Sequence, residues 1–173
     1  MKIYPLFLFI VILLASCGVH HKKQFKYDLP NNAISLTLKE YALKKDFQSK
    51  PILRVCKEFY QIDSVLVAFT DIQTGTFNEN ILVESKKKLN TLFHDPSINS
   101  NGYENYTSRI EKFEKHQALI QNYDTTIDNK SYCQFEIVNN DYTKIKSGII
   151  MFSKIDDKKA NSILINLLKN FRF

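Results

Sequence analysis

The sequence ALIQNYDTTIDNKSYCQFEIVNNDYTKIKSGIIMFS (118–153) contains three runs of apolar and polar residues separated by two turns. Each run fits the two-residue period of a β-strand. The runs are 118–125, 131–139 and 144–153. Asp128-Asn129-Lys130 and Asn139-Asn140-Asp141 between them are rich in turn-forming residues. Strands joined by such short turns predict an antiparallel meander.

A strongly amphipathic segment follows the meander and predicts a closing helix. Either Asp156 or Asp157 can cap its start. Its apolar residues recur at three- and four-residue spacing and form one stripe, which we expect to face the core. The stripe consists of Ala160, Ile163, Leu164, Leu167, Leu168 and Phe171.

The chain before the meander predicts a mixture of strands and helices. The predicted strands are 33–38, 52–57, 64–70 and 79–84, and the predicted helices are 85–94 and 103–113. Residues 40–50 have no clear periodicity. Tyr103, Tyr106, Ile110 and Phe113 set the spacing of the second helix. Helices combined with an antiparallel sheet predict a layered α+β domain.

Three segments are similar to those of PsbP-like proteins. FNENILVESKKKLN (77–90) resembles the family's strand leading into a long helix. IDNKSYCQFEI (127–137) resembles its central turn and strand, and SILINLLKNFRF (162–173) its closing helix. The family includes bacterial envelope lipoproteins of DcrB type. The resemblance implies an α/β/α sandwich around an antiparallel sheet over about 32–173, with a binding role and no catalytic residues.

The N-terminus is typical of an export signal. Met1-Lys2 is followed by an apolar run over 3–14, which is too short to span a bilayer. Leu14-Ala15-Ser16-Cys17 then resembles the bacterial lipobox. We expect 1–16 to be a lipoprotein signal peptide and Cys17 to carry the lipid that attaches the protein to a membrane. The alternative is an ordinary secreted protein that happens to contain Cys17.

The expected lipid anchor also suggests a location and a domain order. Gly18 in the second mature position favours the outer membrane of the bacterial envelope under the common sorting rule. Residues 17–32 are predicted to be the lipidated N-terminus and a polar tether. Residues 33–173 have the length of one α+β domain.

Charge and glycine content exclude some ligands. The net charge of the chain is +6, and it is +5 after removal of Lys2 with the signal peptide. Lysines are spread along the chain, so we expect solubility and some affinity for membrane surfaces, and no nucleic-acid partner. With only four glycines, neither of the common glycine-rich phosphate loops is present. We expect no cofactor.

Two cysteines remain after Cys17. Cys56 and Cys133 fall in predicted strands, and an oxidising envelope would permit a disulfide between them. The alternative is two separate buried thiols that act as small apolar side chains. His20 and His21 are adjacent and lack nearby partner ligands, so we expect no metal site.

No motif identifies a catalytic site. His94 and His116 fall at the ends of predicted helices, where an imidazole caps the helix, so neither is expected to be a general base. The sequence has no Gly-x-Ser-x-Gly, HExxH or CxxC motif. We therefore expect a non-enzymatic envelope lipoprotein that binds an envelope protein or a small ligand. The alternatives are a hydrolase of envelope material and an inhibitor or immunity lipoprotein.

Overall fold

The structure is a computed structural model that describes Tyr27 and residues 29–43, 55–95 and 102–173. The strands are β1 (Ile34–Leu36), β2 (Cys56–Ile62), β3 (Val65–Thr70), β4 (Gln73–Thr74), β5 (Tyr103–Lys112), β6 (His116–Thr125), β7 (Lys130–Asn139) and β8 (Lys144–Phe152). The helices are α1 (Leu38–Ala42), α2 (Ile81–His94) and α3 (Asp157–Asn170), with a 3-10 turn at Lys154–Asp156 before α3.

All the strands belong to one antiparallel sheet in the order β1-β2-β3-β8-β7-β6-β5, and β4 pairs with one end of β8. Strands β6, β7 and β8 form the predicted meander, which is confirmed. The N-terminal strands join it through β3, which pairs with β8 between Leu66↔Met151 and Phe69↔Gly148. The fold is therefore α+β, dominated by an antiparallel sheet.

One face of the sheet packs against α3. Because side chains alternate along a strand, Val65, Val67 and Phe69 of β3 all point to this face. They share a core with the stripe of α3, and every residue predicted for that stripe is buried. The predicted closing helix is thus confirmed. Asp156 occupies its N-cap position but makes no side-chain capping hydrogen bond.

The opposite face packs against the other two helices. Leu66 and Ala68 alternate with the residues above and join a second cluster with Tyr41 of α1 and Phe93 of α2. Leu82 of α2 packs further along the same face in a third cluster. Within the described residues, no helix is long and apolar enough to cross a membrane.

The predicted helix over 103–113 is wrong, because this segment forms the edge strand β5. The pairing of β5 with β6 shifts register between Glu104 and Thr107, and Asn105 has a positive φ of 55°. This β-bulge adds a residue, so Tyr103 and Tyr106 pack in the same cluster although they are three residues apart. The bulge therefore produces a spacing that resembles that of a helix.

The predicted strand over 79–84 is also wrong. Helix α2 begins at Ile81, four residues before the predicted cap at Ser85. A strand would have placed Ile81 and Val83 on its buried face. Instead Leu82 is buried and Val83 is 56 % exposed. Ser85 lies within the helix, and its hydroxyl donates to Glu136 instead.

The first predicted strand is shorter than expected. Strand β1 ends at Leu36, and Thr37 begins α1 through a capping box. The Thr37 hydroxyl accepts from the Glu40 amide, while the Glu40 carboxylate accepts from the Thr37 amide. Leu38 is therefore an exposed helical residue.

Packing begins before the predicted boundary at Ala33. Tyr27 is 5 % exposed and joins the core beneath α3, with Leu29 packed against it. Both residues fall in the segment that the sequence suggested was a tether. The expected signal peptide at 1–16 and the lipidation site at Cys17 lie outside the described residues.

Candidate functional site

A fully buried lysine is the most unusual side chain in the core. Lys146 lies on β8 and is 0 % exposed. Strand alternation places it on the same face as Ile150 and Phe152, which pack beneath α3. An ammonium group in such a place is strongly unfavourable unless it is paired and hydrogen-bonded.

Two side chains from distant parts of the chain supply that pairing. Lys146 Nζ lies 3.0 Å from Glu58 Oε1 and also donates to the hydroxyl of Tyr27. The Tyr27 hydroxyl in turn donates to Glu58 Oε1 over 3.0 Å. Nζ also lies 4.8 Å from the centre of the Tyr27 ring and 5.5 Å from that of Phe69. We call Tyr27, Glu58, Phe69 and Lys146 the Lys146 cluster.

The phenols around Glu58 are held in their protonated form. Burial, reinforced by Glu58, raises the pKa of Tyr27 above its ordinary value. The same causes raise the pKa of Tyr60 to about 12, and its hydroxyl lies 3.4 Å from Glu58 Oε2. At neutral pH both phenols therefore act as hydrogen-bond donors, and the cluster connects Tyr27 to the sheet through charge-assisted bonds.

The sequence of β8 carries a signal for part of this cluster that the periodicity argument did not use. Lys146 shares its strand face with Gly148, Ile150 and Phe152, and the only other charged residue on that face of β8 is Lys144 at the strand start. The alternation of that strand would have placed Lys146 inside. Glu58 and Tyr27 gave no comparable signal, since only the fold brings them to Lys146.

A polar cleft opens at the end of the domain where α3 ends. It has a volume of ≈ 180 Å³ and is lined by residues 113–116 and 169–172. We call it the C-terminal cleft. Three exposed cations, Lys115, Lys169 and Arg172, and one exposed acid, Glu114, surround it. The cleft therefore has an excess of positive charge.

His116 forms the buried wall of this cleft. It is 2 % exposed, and its ring stacks on Phe113 at 4.9 Å and meets Phe171 edge-on at 5.9 Å. Neither ring nitrogen reaches hydrogen-bonding geometry with a described residue. Burial lowers the pKa of His116, and the nearby carbonyl of Leu168 opposes that effect only in part. The ring is therefore neutral near pH 7.

His116 was expected to cap a helix, and the structure corrects that expectation. It begins strand β6 because the segment before it is the strand β5 and not a helix. His94, by contrast, lies in the last turn of α2 as predicted, and its Nδ1 lies 2.7 Å from the Asn90 carbonyl. Its ring thus interacts with its own helix.

Polar side chains also contribute to the contact between α2 and the sheet, beside the apolar packing of Leu82 and Phe93. The Asn90 side-chain oxygen accepts from Tyr106 at 3.0 Å and from Ser108 at 2.7 Å. Burial raises the pKa of Glu136, although a hydrogen bond from Ser85 opposes the shift. These bonds orient α2 on β5 and β7, and we assign them a structural role.

No disulfide joins Cys56 and Cys133 in the structure. Both are buried, but they belong to clusters on opposite faces of the sheet. The arrangement matches the alternative of two separate thiols that act as apolar side chains. Burial raises the pKa of Cys56 to about 11 and that of Cys133 to about 12. Both sulfurs are therefore protonated thiols at neutral pH, whereas the reactive form of a cysteine is the thiolate.

Within the part of the chain that the structure describes, no three His, Cys, Asp or Glu side chains lie close enough together to hold a metal ion. A comparison of the whole chain with models of known protein families and with the sequences of characterised proteins finds no match.

Proposed function

We propose that this chain is a lipid-anchored lipoprotein of the bacterial envelope that acts by binding. The observation that carries the proposal is Leu14-Ala15-Ser16-Cys17 directly after a short apolar run. Cleavage before Cys17 would leave a cysteine at the mature N-terminus, where two or more acyl chains make anchoring stable. Gly18 favours the outer membrane.

The arrangement of the helices supports a PsbP-like domain behind that anchor. The stripe of α3 packs on one face of the sheet, while α1 and α2 contribute to clusters on the other face. We propose that these layers correspond to the sandwich of that family. The proposal links this chain to a family that includes envelope lipoproteins and acts mainly by binding.

The states of the described histidines and thiols favour binding over catalysis. A general base must reach the proton that it removes, and a nucleophilic cysteine must be a thiolate. The ring of His116 is enclosed by Phe113 and Phe171, and His94 is bonded to its own helix. Cys56 and Cys133 are buried and protonated. None of the four is placed to start a hydrolysis.

Lipidation is tested by detergent phase partitioning and by mass spectrometry of the mature N-terminus. The wild type should enter the detergent phase and carry acyl chains on Cys17. Cys17→Ala should remain uncleaved and lack that modification. Ser16→Ala is the matched control, since it keeps a small residue before the cysteine. Wild-type protein that lacks acyl chains on Cys17, or a Cys17→Ala variant that enters the detergent phase as wild type does, would overturn the proposed anchor.

Binding is distinguished from hydrolysis by two measurements on the lipidated protein. A pull-down from solubilised envelope should recover a stoichiometric partner that survives a stringent wash. Incubation with peptidoglycan, lipid and glycan substrates should show no turnover. Turnover that is lost in His116→Phe or His94→Asn would support a hydrolase and overturn the binding role.

A further inference from the structure

The Lys146 cluster fixes the position of Tyr27, the first residue that the structure describes. The Tyr27 ring stacks on Phe69 at 4.2 Å and lies 5.9 Å from the ring of Phe171. Phe171 follows the last residue of α3 and also lines the C-terminal cleft. Tyr27 and the cleft are therefore separated by a single side chain, that of Phe171.

The length of the preceding segment limits how far this end can move from a membrane. Ten residue steps separate Cys17 from Tyr27. A fully extended chain covers at most about 3.6 Å per residue, so these steps span at most about 36 Å. If Cys17 is acylated, Tyr27 can lie at most about 36 Å from the lipidated residue, so the end of the domain that carries the C-terminal cleft can reach the lipid surface.

The charges of the cleft are available for an external anion. Lys115, Lys169 and Arg172 are all exposed, and none forms an ion pair with a side chain in the described part of the chain. Glu114 is the single acid on the lining. Phe113 and Phe173 are half-buried beside the cations, where aromatic rings suit the interface between lipid and water.

We propose that the C-terminal cleft binds the phosphate headgroups of acidic lipids and thereby turns this end of the domain toward the membrane. The inference rests on the proposed lipid anchor at Cys17. Basic side chains near an acidic lipid surface each favour association by about fivefold. Three such residues beside a short anchor are enough to orient a domain that the acyl chains already hold at the surface.

The test uses the mature, lipidated protein in two kinds of vesicle. One kind contains phosphatidylcholine alone, and the other contains phosphatidylcholine and phosphatidylglycerol. Backbone hydrogen exchange is measured for peptides that cover 113–117 and 169–173. We expect slower exchange in both peptides with phosphatidylglycerol, and we expect high salt to remove the difference because it screens exposed charges.

Two charge-reversal variants separate the cleft from general attraction. The cleft variant is Lys115→Glu, Lys169→Glu and Arg172→Glu, all at exposed positions. The control is Lys39→Glu, Lys87→Glu and Lys88→Glu, which changes the net charge equally at exposed positions of α1 and α2. Only the cleft variant should lose the protection given by phosphatidylglycerol.

The outcomes that contradict the proposal are distinct from failure of the anchor. Equal exchange of wild type in both vesicles, or equal loss in both variants, would overturn binding at the cleft. Failure of wild type to float with phosphatidylcholine vesicles would instead overturn the anchor. Melting temperatures show whether the cleft variant folds, and the salt dependence of wild type tests the proposal without any variant.

Discussion

Lys146 Nζ and Glu58 Oε1 lie 3.0 Å apart although 88 residues separate them in the chain. The lysine is fully buried, while the side chain of Glu58 is 25 % exposed. Their pairing, completed by Tyr27, brings one end of the described chain into contact with strands β2 and β8. The stability of the fold is therefore expected to depend on this pairing.

Removing the acid should destabilise the fold. In Glu58→Gln the buried Lys146 ammonium loses the carboxylate that lies 3.0 Å from it, and removal of one member of a buried ion pair costs about 3–5 kcal/mol. Lys146→Met in the same chain should restore part of this stability, because the ammonium that had lost its Glu58 partner is then removed as well. Urea unfolding of both single variants and of the double variant measures the coupling. Strictly additive effects would show that the two residues do not interact.

Tyr27 should contribute to stability as a core residue. Tyr27→Ala removes a ring stacked on Phe69, and loss of a buried aromatic side chain costs about 3–5 kcal/mol. Asn31→Ala, at an exposed position nearby, is the control and should change the free energy of unfolding by at most about 0.5 kcal/mol. If the two variants melt alike, Tyr27 belongs to a tether after all.

Acid should weaken the fold through His116. Its pKa is lowered in the folded state, so the unfolded chain binds a proton at a higher pH. The contribution of neutral His116 to folding stability is therefore complete above the unfolded-state pKa of about 6.5. It is lost as the pH falls, by at most about 1.4 kcal/mol per pH unit.

The effect is tested by measuring the free energy of unfolding of wild type and of His116→Phe between about pH 7.5 and 5.5. This range covers most of the pH interval in which histidine side chains titrate. The variant should lose less stability than wild type across the range. Parallel curves for wild type and His116→Phe would exclude His116 as the cause.

The stripe of α3 should tolerate no charge. Leu164 is 2 % exposed, so Leu164→Asp places an unpaired carboxylate in the core and should prevent stable folding. Asn166→Asp introduces the same residue at an exposed position of the same helix and should be nearly silent. Circular dichroism melts compare the two. A folded Leu164→Asp protein with an unchanged melting temperature would contradict the packing of α3.

Both buried thiols should be protected and reduced. In the native protein, a maleimide should label neither Cys56 nor Cys133, because both are buried and protonated. In urea it should label both. Mass spectrometry of the unreduced protein provides the check, since a disulfide would lower the mass by two hydrogens and block labelling in urea.

Elements with a local residue pattern could be predicted from the amino-acid sequence alone. The three strands of the meander and the stripe of α3 were predicted correctly because each residue's face follows directly from its position in a regular period. In β5 the same reasoning failed, because the bulge at Asn105 placed Tyr103 and Tyr106 on one face at helical spacing. A bulge is stabilised by the partner strand β6, which local periodicity does not include.

The sites were decided by tertiary structure alone. Tyr27, Glu58 and Lys146 meet only because β2 and β8 lie on either side of β3, and their pairing is favourable only when all three leave water together. The C-terminal cleft likewise requires the turn after β5 to meet the end of α3. The proposed lipobox at residues 14–17 would need no such context, because a signal of this kind is a short linear segment, whereas burial and pairing are properties of the folded chain.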